Sequence, residues 1–263
     1  MDLAKQEKLH GKLLTFKIPS GHEVTIREQN GDDDEVLSNM ANVESGRSYD
    51  QFLAGIIINH SKYDRRPTEK EINIMPQRDR LIITTMSRIF SLGNDVNFEY
   101  QWVGRKSPDK YSDNLEDYIW DYSKPFPEEG DDEYKPTRIP PYDNDPYEPV
   151  EHTTRSGKKV RFILSNGESE NYLMNLSKEK ASKNSEISSR SFELYVEGPN
   201  EWMKVENFKQ FSGRDMMEIR SIIDSKDKKY SLLSAVKHPE DENVEAYVDL
   251  SNLVDFFYPV MDL

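Results

Sequence analysis

Residues 20–39 recur without a gap as residues 156–175, an offset of 136 positions (156 − 20), and this recurrence constrains the fold more than any other feature of the chain. Ser20, Gly21, Val24, Asn30, Gly31, Leu37 and Asn39 meet the same residue types at Ser156, Gly157, Val160, Asn166, Gly167, Leu173 and Asn175. Ile26 is replaced by Phe162, and Asp32 and Asp34 by Glu168 and Glu170. Each copy reads as a Ser-Gly turn, an alternating strand, an Asn-Gly turn and a helix opened by acids. The same offset carries Arg78-Asp79 onto Arg214-Asp215, each pair opening an apolar helical run. So long a period does not suit the short repeats of solenoids or propellers. It predicts an α+β chain built as a pseudo-duplication: a first half over 1–104, an acidic Pro/Tyr-rich linker over 105–149, and a second half over 150–263.

A chain of 263 residues has room for one large or two ordinary domains with a real core. Its net charge of −14 disfavours nucleic acid and anionic lipid as partners. The absence of cysteine excludes disulfides, thiol catalysis and thiolate metal sites. No run approaches the length of a membrane span and the start lacks a signal-peptide core, so a soluble protein is expected.

In chain order, a polar lead-in over 1–11 is followed by strands at Leu13–Ile18 and Glu23–Arg27, the second burying the Val24 and Ile26 face. Asp32, Asp33, Asp34 and Glu35 fall in the first turn of the next helix, where carboxylates complement the helix terminus. A calcium loop does not fit their spacing. A helix is predicted over Ser48–Asn59, with His60 a polar residue near its end. A short helix begins at Pro67-Thr68, and a longer one runs from Pro76-Gln-Arg-Asp79 to Leu92-Gly93. Val96–Val103 reads as a strand.

The linker holds 8 of the 14 prolines, 6 of the 14 tyrosines, and 13 acids against 6 bases. That composition predicts an extended, partly polyproline-like segment. Its aromatic residues, Tyr111, Tyr118, Trp120, Tyr122, Tyr134, Tyr142 and Tyr147, are too many for an inert spacer. They either pack back on the chain or anchor on another protein.

In the second half, a helix is expected from Glu168 towards Ala181 and a strand over Phe192–Val196. Trp202, Val205, Phe208 and Phe211 lie at roughly helical spacing. A Ser212 capping box opens the Arg214-Asp215 helix, and a strand pair spans Tyr230–Val236 and Glu245–Leu250. The terminal Phe256, Phe257 and Tyr258 either tuck into the second half or face a neighbour.

No Walker, dinucleotide, zinc-protease or nucleophile-elbow motif is present. His10, His22, His60, His152 and His238 are isolated in sequence. Arg78-Asp79 and Arg214-Asp215 fit capping and a local ion pair better than acid–base work. No catalytic residue, cofactor, metal or small-molecule substrate is expected.

The Pro19-Ser-Gly-x-x-Val-Thr-Ile-Arg27 hairpin, the acidic helix start, the Arg78-Asp-Arg-Leu81 helix ending in Ser91-Leu-Gly93, the Ser156-Gly-Lys unit, the Arg214-Asp215 helix and the terminal Phe256-Phe-Tyr-Pro259 occur in that order. Together they resemble the baseplate hub-assembly proteins of T-even-type contractile-tailed bacteriophages. The resemblance covers nearly the whole chain outside the linker and implies a non-enzymatic role in tail baseplate assembly, as structural component or assembly factor. The implied locations are the host cytoplasm during assembly or the virion's tail baseplate, and the implied partners are other tail proteins. Relatives often carry a Cys-Pro-x-Cys knuckle in each half, whose four thiolates would suit one structural zinc. Here the matching places are Tyr100–Gly104 and Val236–Glu240, without cysteine, and Trp102 with neighbouring apolar groups is expected to fill them. Two rival readings are a chaperone that coats the tape-measure protein, and a ligand-binding or catalytic protein without a recognisable motif.

Overall fold

A computed structural model describes residues 11–39, 47–175, 194–199, 201–205, 208–252 and 256. Among these residues it is a mixed α+β structure of small antiparallel sheets and six helices. β1 (Leu13–Lys17), β2 (Glu23–Arg27) and β3 (Ile57–His60) form a three-stranded sheet with β2 in the middle. Being central, β2 buries Thr25 as well as Val24 and Ile26, and the Thr25 hydroxyl is satisfied by that of Thr15 at 2.9 Å.

α1 (Gly31–Ser38) starts at an Asn30 cap that forms a capping box with Asp33. Asp33 also takes a bidentate ion pair from Arg27, with both contacts at 2.7 Å. α2 (Arg47–Ile56) stops short of the helix expected to run to Asn59. The β-branched pair Ile57-Ile58 and Asn59-His60 pair instead with β2 as β3, so His60 is a fully buried strand residue rather than the end of a helix. An unbroken apolar run suits a buried helix and a buried strand equally, and the open side of β2 decides here.

α3 (Glu69–Asn73) is capped by a Thr68–Glu71 box, and α4 (Gln77–Leu92) follows, buried on almost every side. β4 (Asp95–Tyr100) pairs with β5 (Asp109–Asn114), so the 105–149 segment contributes a strand, a 3-10 turn at Leu115–Asp117 and the buried Leu115, Tyr118 and Ile139.

The sheet of the second half has four strands, β6 (Val150–Thr153), β7 (Lys159–Phe162), β8 (Leu194–Glu197) and β9 (Trp202–Lys204). Trp202 therefore lies on a strand, not on the helix its spacing suggested. The close Gly198 N–H to Glu201 carbonyl bond, 2.9 Å, turns the chain back on β8 before a helix can start. α5 (Gly167–Asn175), α6 (Gly213–Lys226) and the β10–β11 hairpin (Leu233–His238 and Asp241–Asp249) complete the order. The expected lead-in over 1–10, the helix beyond 175, and Phe192, Phe257 and Tyr258 lie outside the described residues.

Two apolar cores result. The smaller joins the second sheet to Ile219 and Ile223 of α6. The larger is shared: Val24, Ile26, Phe52 and Ile82 from the first half pack with Leu115, Tyr118 and Ile139, and with Leu232, Val236, Leu250 and Phe256 from the end of the chain. Phe256 is thus buried, but in the core of the first half rather than within the second. Among the described residues no helix is long and apolar enough to cross a membrane.

Candidate functional site

The aromatic segment lies on the body of the molecule. Tyr118 is buried and the other seven aromatics of 105–149, Phe126 among them, are half-buried. Tyr111 accepts from Trp102 Nε1 at 2.7 Å and donates to the Lys237 carbonyl at 2.9 Å. The Tyr118 hydroxyl donates to Asp113 and that of Tyr122 to the Ile139 carbonyl, each at 2.7 Å. Trp120 is flanked by Phe126 and by the Arg138 guanidinium, 4.7 Å from its ring centre. Tyr134 closes a tight turn by its N–H on the Asp131 carbonyl.

Residues 139–149 form a strap across the Ser20–Gly21 turn. The Tyr142 N–H donates to the Pro19 carbonyl at 3.1 Å, and its hydroxyl accepts from the Arg78 N–H at 3.1 Å. The Arg78 guanidinium lies between the Tyr142 and Tyr230 rings, 4.4 and 4.6 Å from their centres, and donates to the Pro140 and Pro141 carbonyls. Tyr147 meets the His22 ring edge-on at 6.0 Å, with Lys62 Nζ 3.8 Å from its own ring centre. Asp143, Asp145 and Glu148 point outward and are exposed.

Beneath the strap is a polar cluster. Asp79 is fully buried and accepts from the Ser20 N–H at 2.9 Å through Oδ1, while its Oδ2 has no hydrogen-bond partner. Burial pushes its pKa up to about 7, against the pull of the Ser20 donors and Arg78. Asp79 therefore neither caps its own helix nor contacts Arg78 as an ion pair, contrary to the sequence expectation, because Arg78 is taken up by carbonyls and rings. Burial, assisted by His22 and Lys62, lowers His60 to about 4. Its Nδ1 accepts from the Lys62 N–H at 3.2 Å, which leaves the proton of the neutral ring on the unpartnered Nε2. A cleft of about 480 Å³ adjoins the strap, lined by Arg78, Tyr142, Asp145, Lys226 and Tyr230 but not by Asp79 or His60.

Sequence reasoning missed the residue that ties the halves together. Arg80 is buried, pairs with Asp50 at 2.7 Å and Glu170 at 3.1 Å, and donates to the Ile72 carbonyl at 3.0 Å. Asn171 bridges Asp50 and Asn73, and the Gln77 N–H donates to the Ser165 carbonyl at 2.8 Å. The signal was present as an arginine amid an apolar helical run, but its partners come from α2 and α5, far along the chain.

Trp102 and His238 meet edge to face at 4.9 Å, and Arg105 pairs with Glu240 at 2.8 Å. His238 Nδ1 is engaged by the Glu240 N–H. With one imidazole, an indole and a phenol, this junction does not fit a zinc ion. Elsewhere His152 pairs with Glu218 at 2.9 Å, but the nearby Ser156 and Thr154 hydroxyls turn to Asp215, not to the imidazole. Compared with protein-family models, curated proteins and solved structures, the chain matches none of them.

Proposed function

We propose that this chain is a non-enzymatic hub protein of a contractile-tailed bacteriophage baseplate, built by duplication of one α+β unit and acting through protein–protein contacts. The observation that carries the reading is the junction. The resemblance assigns one shared site to Tyr100–Gly104 and Val236–Glu240, and these two places, distant in sequence, abut through Trp102, Tyr111 and His238.

The two Ser-Gly turns support the duplication. Ile18 N–H bonds to the His22 carbonyl and Gly21 N–H to Ile18, at 3.0 and 2.8 Å; Thr154 and Gly157 repeat both bonds, each at 2.8 Å, 136 positions on. Gly21 and Gly157 have φ of 80° and 86°, a conformation that glycine adopts without strain. Asp79 accepts from the Ser20 N–H of the first turn, and Asp215 lies beside the Ser156 hydroxyl of the second. β1, β2, α1, β3, α4 and β4 have counterparts of like type in β6, β7, α5, β8, α6 and β10.

The test is quantitative mass spectrometry of infected-cell lysate, purified virions and isolated baseplates. A fixed small copy number in baseplates is the expected outcome for a component, and presence in lysate alone that for an assembly factor. Recovery with no tail protein would overturn the reading, and recovery with the tape-measure protein alone would replace it with the chaperone.

A further inference from the structure

On the reading of the halves as duplicates, we propose that the open Ser156–Gly157 turn face of the second half docks an extended, acidic, tyrosine- and proline-containing segment of a partner protein, much as residues 139–149 seat on the first half.

The two turns share a backbone but not a cover. On the first, the strap bonds to Pro19, stacks Tyr142 on Arg78 and lays Tyr147 against His22. On the second, Arg155, Ser156, Gly157 and Arg214 are exposed. Arg214 corresponds to Arg78, so the guanidinium on which a tyrosine ring stacks is retained but faces solvent.

Charge points to the occupant. Where the first turn reads Pro19-Ser-Gly-His-Glu23, the second reads Arg155-Ser-Gly-Lys-Lys159; Lys159 is paired with Glu197 at 2.9 Å, so Arg155 and Lys158, with Arg214 beside them, are the bases this face presents in a chain whose net charge is −14. Lys158 lies 5.0 Å from the ring centre of the buried Phe211, which holds its stem against the core and leaves the face polar and charged. The strap supplies the matching chemistry: two tyrosines for the guanidinium and ring contacts, prolines that hold it extended, and the exposed Asp143, Asp145 and Glu148. The chain's own strap is committed, because it is pinned at Pro19 and then runs straight into β6 at Val150. The occupant is therefore not this strap, and is assigned instead to another protein.

The test uses the full ¹⁵N-labelled chain and, as probe, a synthetic peptide with the sequence of residues 139–149. Amide shifts are expected at 154–159 and 213–216. Affinity should fall about tenfold in the Arg155→Glu/Arg214→Glu variant, as for loss of a complementary charge pair, and should weaken with added salt. Unchanged amide positions elsewhere establish that the variant is folded, and a peptide with alanine in place of Tyr142 should bind more weakly. No shifts at millimolar peptide, shifts confined to the first half, or shifts indifferent to the charge reversal would each overturn docking. Concentration-dependent dimerisation through this face would overturn the partner as occupant in favour of a second copy. The duplication is judged separately, by superposing residues 13–100 on 149–236 in an experimental structure, so a failed peptide with a good superposition sinks the docking proposal alone.

Discussion

Asp79 and Asp215 stand at matching positions, each beside a Ser-Gly turn, yet one is pushed up to about 7 and the other down to about 2. The difference lies in what surrounds each carboxyl. Asp215 receives the hydroxyl and N–H of Ser212, with the Ser156 and Thr154 hydroxyls also turned to it, and such donors stabilise the carboxylate. At the places of Ser212 and Thr154 the first half has Pro76 and Ile18, which offer no side-chain donor, and the strap seals Asp79 from water. A turn can thus be kept while its charge is tuned by the few side chains around it.

The largest expected effect comes from exchanging matched residues on the two long helices. Arg80 corresponds to Met216, and Arg80→Met leaves the buried Asp50 and the half-buried Glu170 without their counter-ion. Stability should fall by about 3–5 kcal/mol in urea denaturation; a loss under 1 kcal/mol would mean that the ion pairs do not join the halves.

Asp79 and Asp215 should give pH dependences of opposite sign. A carboxyl with a raised folded pKa binds more protons folded than unfolded between pH 4 and 7, so Asp79 makes stability fall as pH rises through that window. The span is at most about 4 kcal/mol, and Asp79→Asn should remove it. Asp215, being lowered, contributes stability above the ordinary carboxylate range that is lost on acidification towards pH 2. Installing the missing cap by Pro76→Ser should lower the Asp79 pKa measured by carboxyl NMR; an unchanged value would show that missing donors are not the cause.

The matched glycines should separate next. A Cβ on Gly167 would lie 2.6 Å from Arg80 Nη1 and 2.9 Å from the Asn73 carbonyl oxygen, whereas one on Gly31 meets nothing. Gly167→Ala should cost about 1–3 kcal/mol, and Gly31→Ala should be neutral or stabilising by about 0.5 kcal/mol. Equal effects would place the close approach elsewhere. Ser212→Ala, which removes one cap, should cost about 1 kcal/mol in thermal melts.

Local chemistry was legible in sequence where it acts locally. The Ser212 cap, the helix starts after Asn30-Gly31 and at Thr68, the β1–β2 hairpin and the span of α4 follow from turn residues and periodicity within a few positions. β3 and β9 were not legible, because Ile57-Ile58 and Trp202 become strands only when β2 and β8 present open edges. The Arg80 network and the strap's hold on Pro19 depend on residues from separate parts of the chain, and no spacing rule reaches that far. The aromatic excess of 105–149 did signal a segment with more to do than span a gap, but which surface each ring meets is set by the assembled body.

The Trp102–His238 contact bears on how such a molecule can change. On the proposed duplication these residues are copies of one ancestral position, and copies that touch lie close to the local symmetry axis of an ancestral pair. In a pair of identical chains, an axial residue faces only itself, so every substitution there occurs twice. Joining the two units in one chain lifts that restriction: an indole can face an imidazole, one turn can be covered while its twin stays open, and a symmetric contact becomes a molecule with two unlike faces.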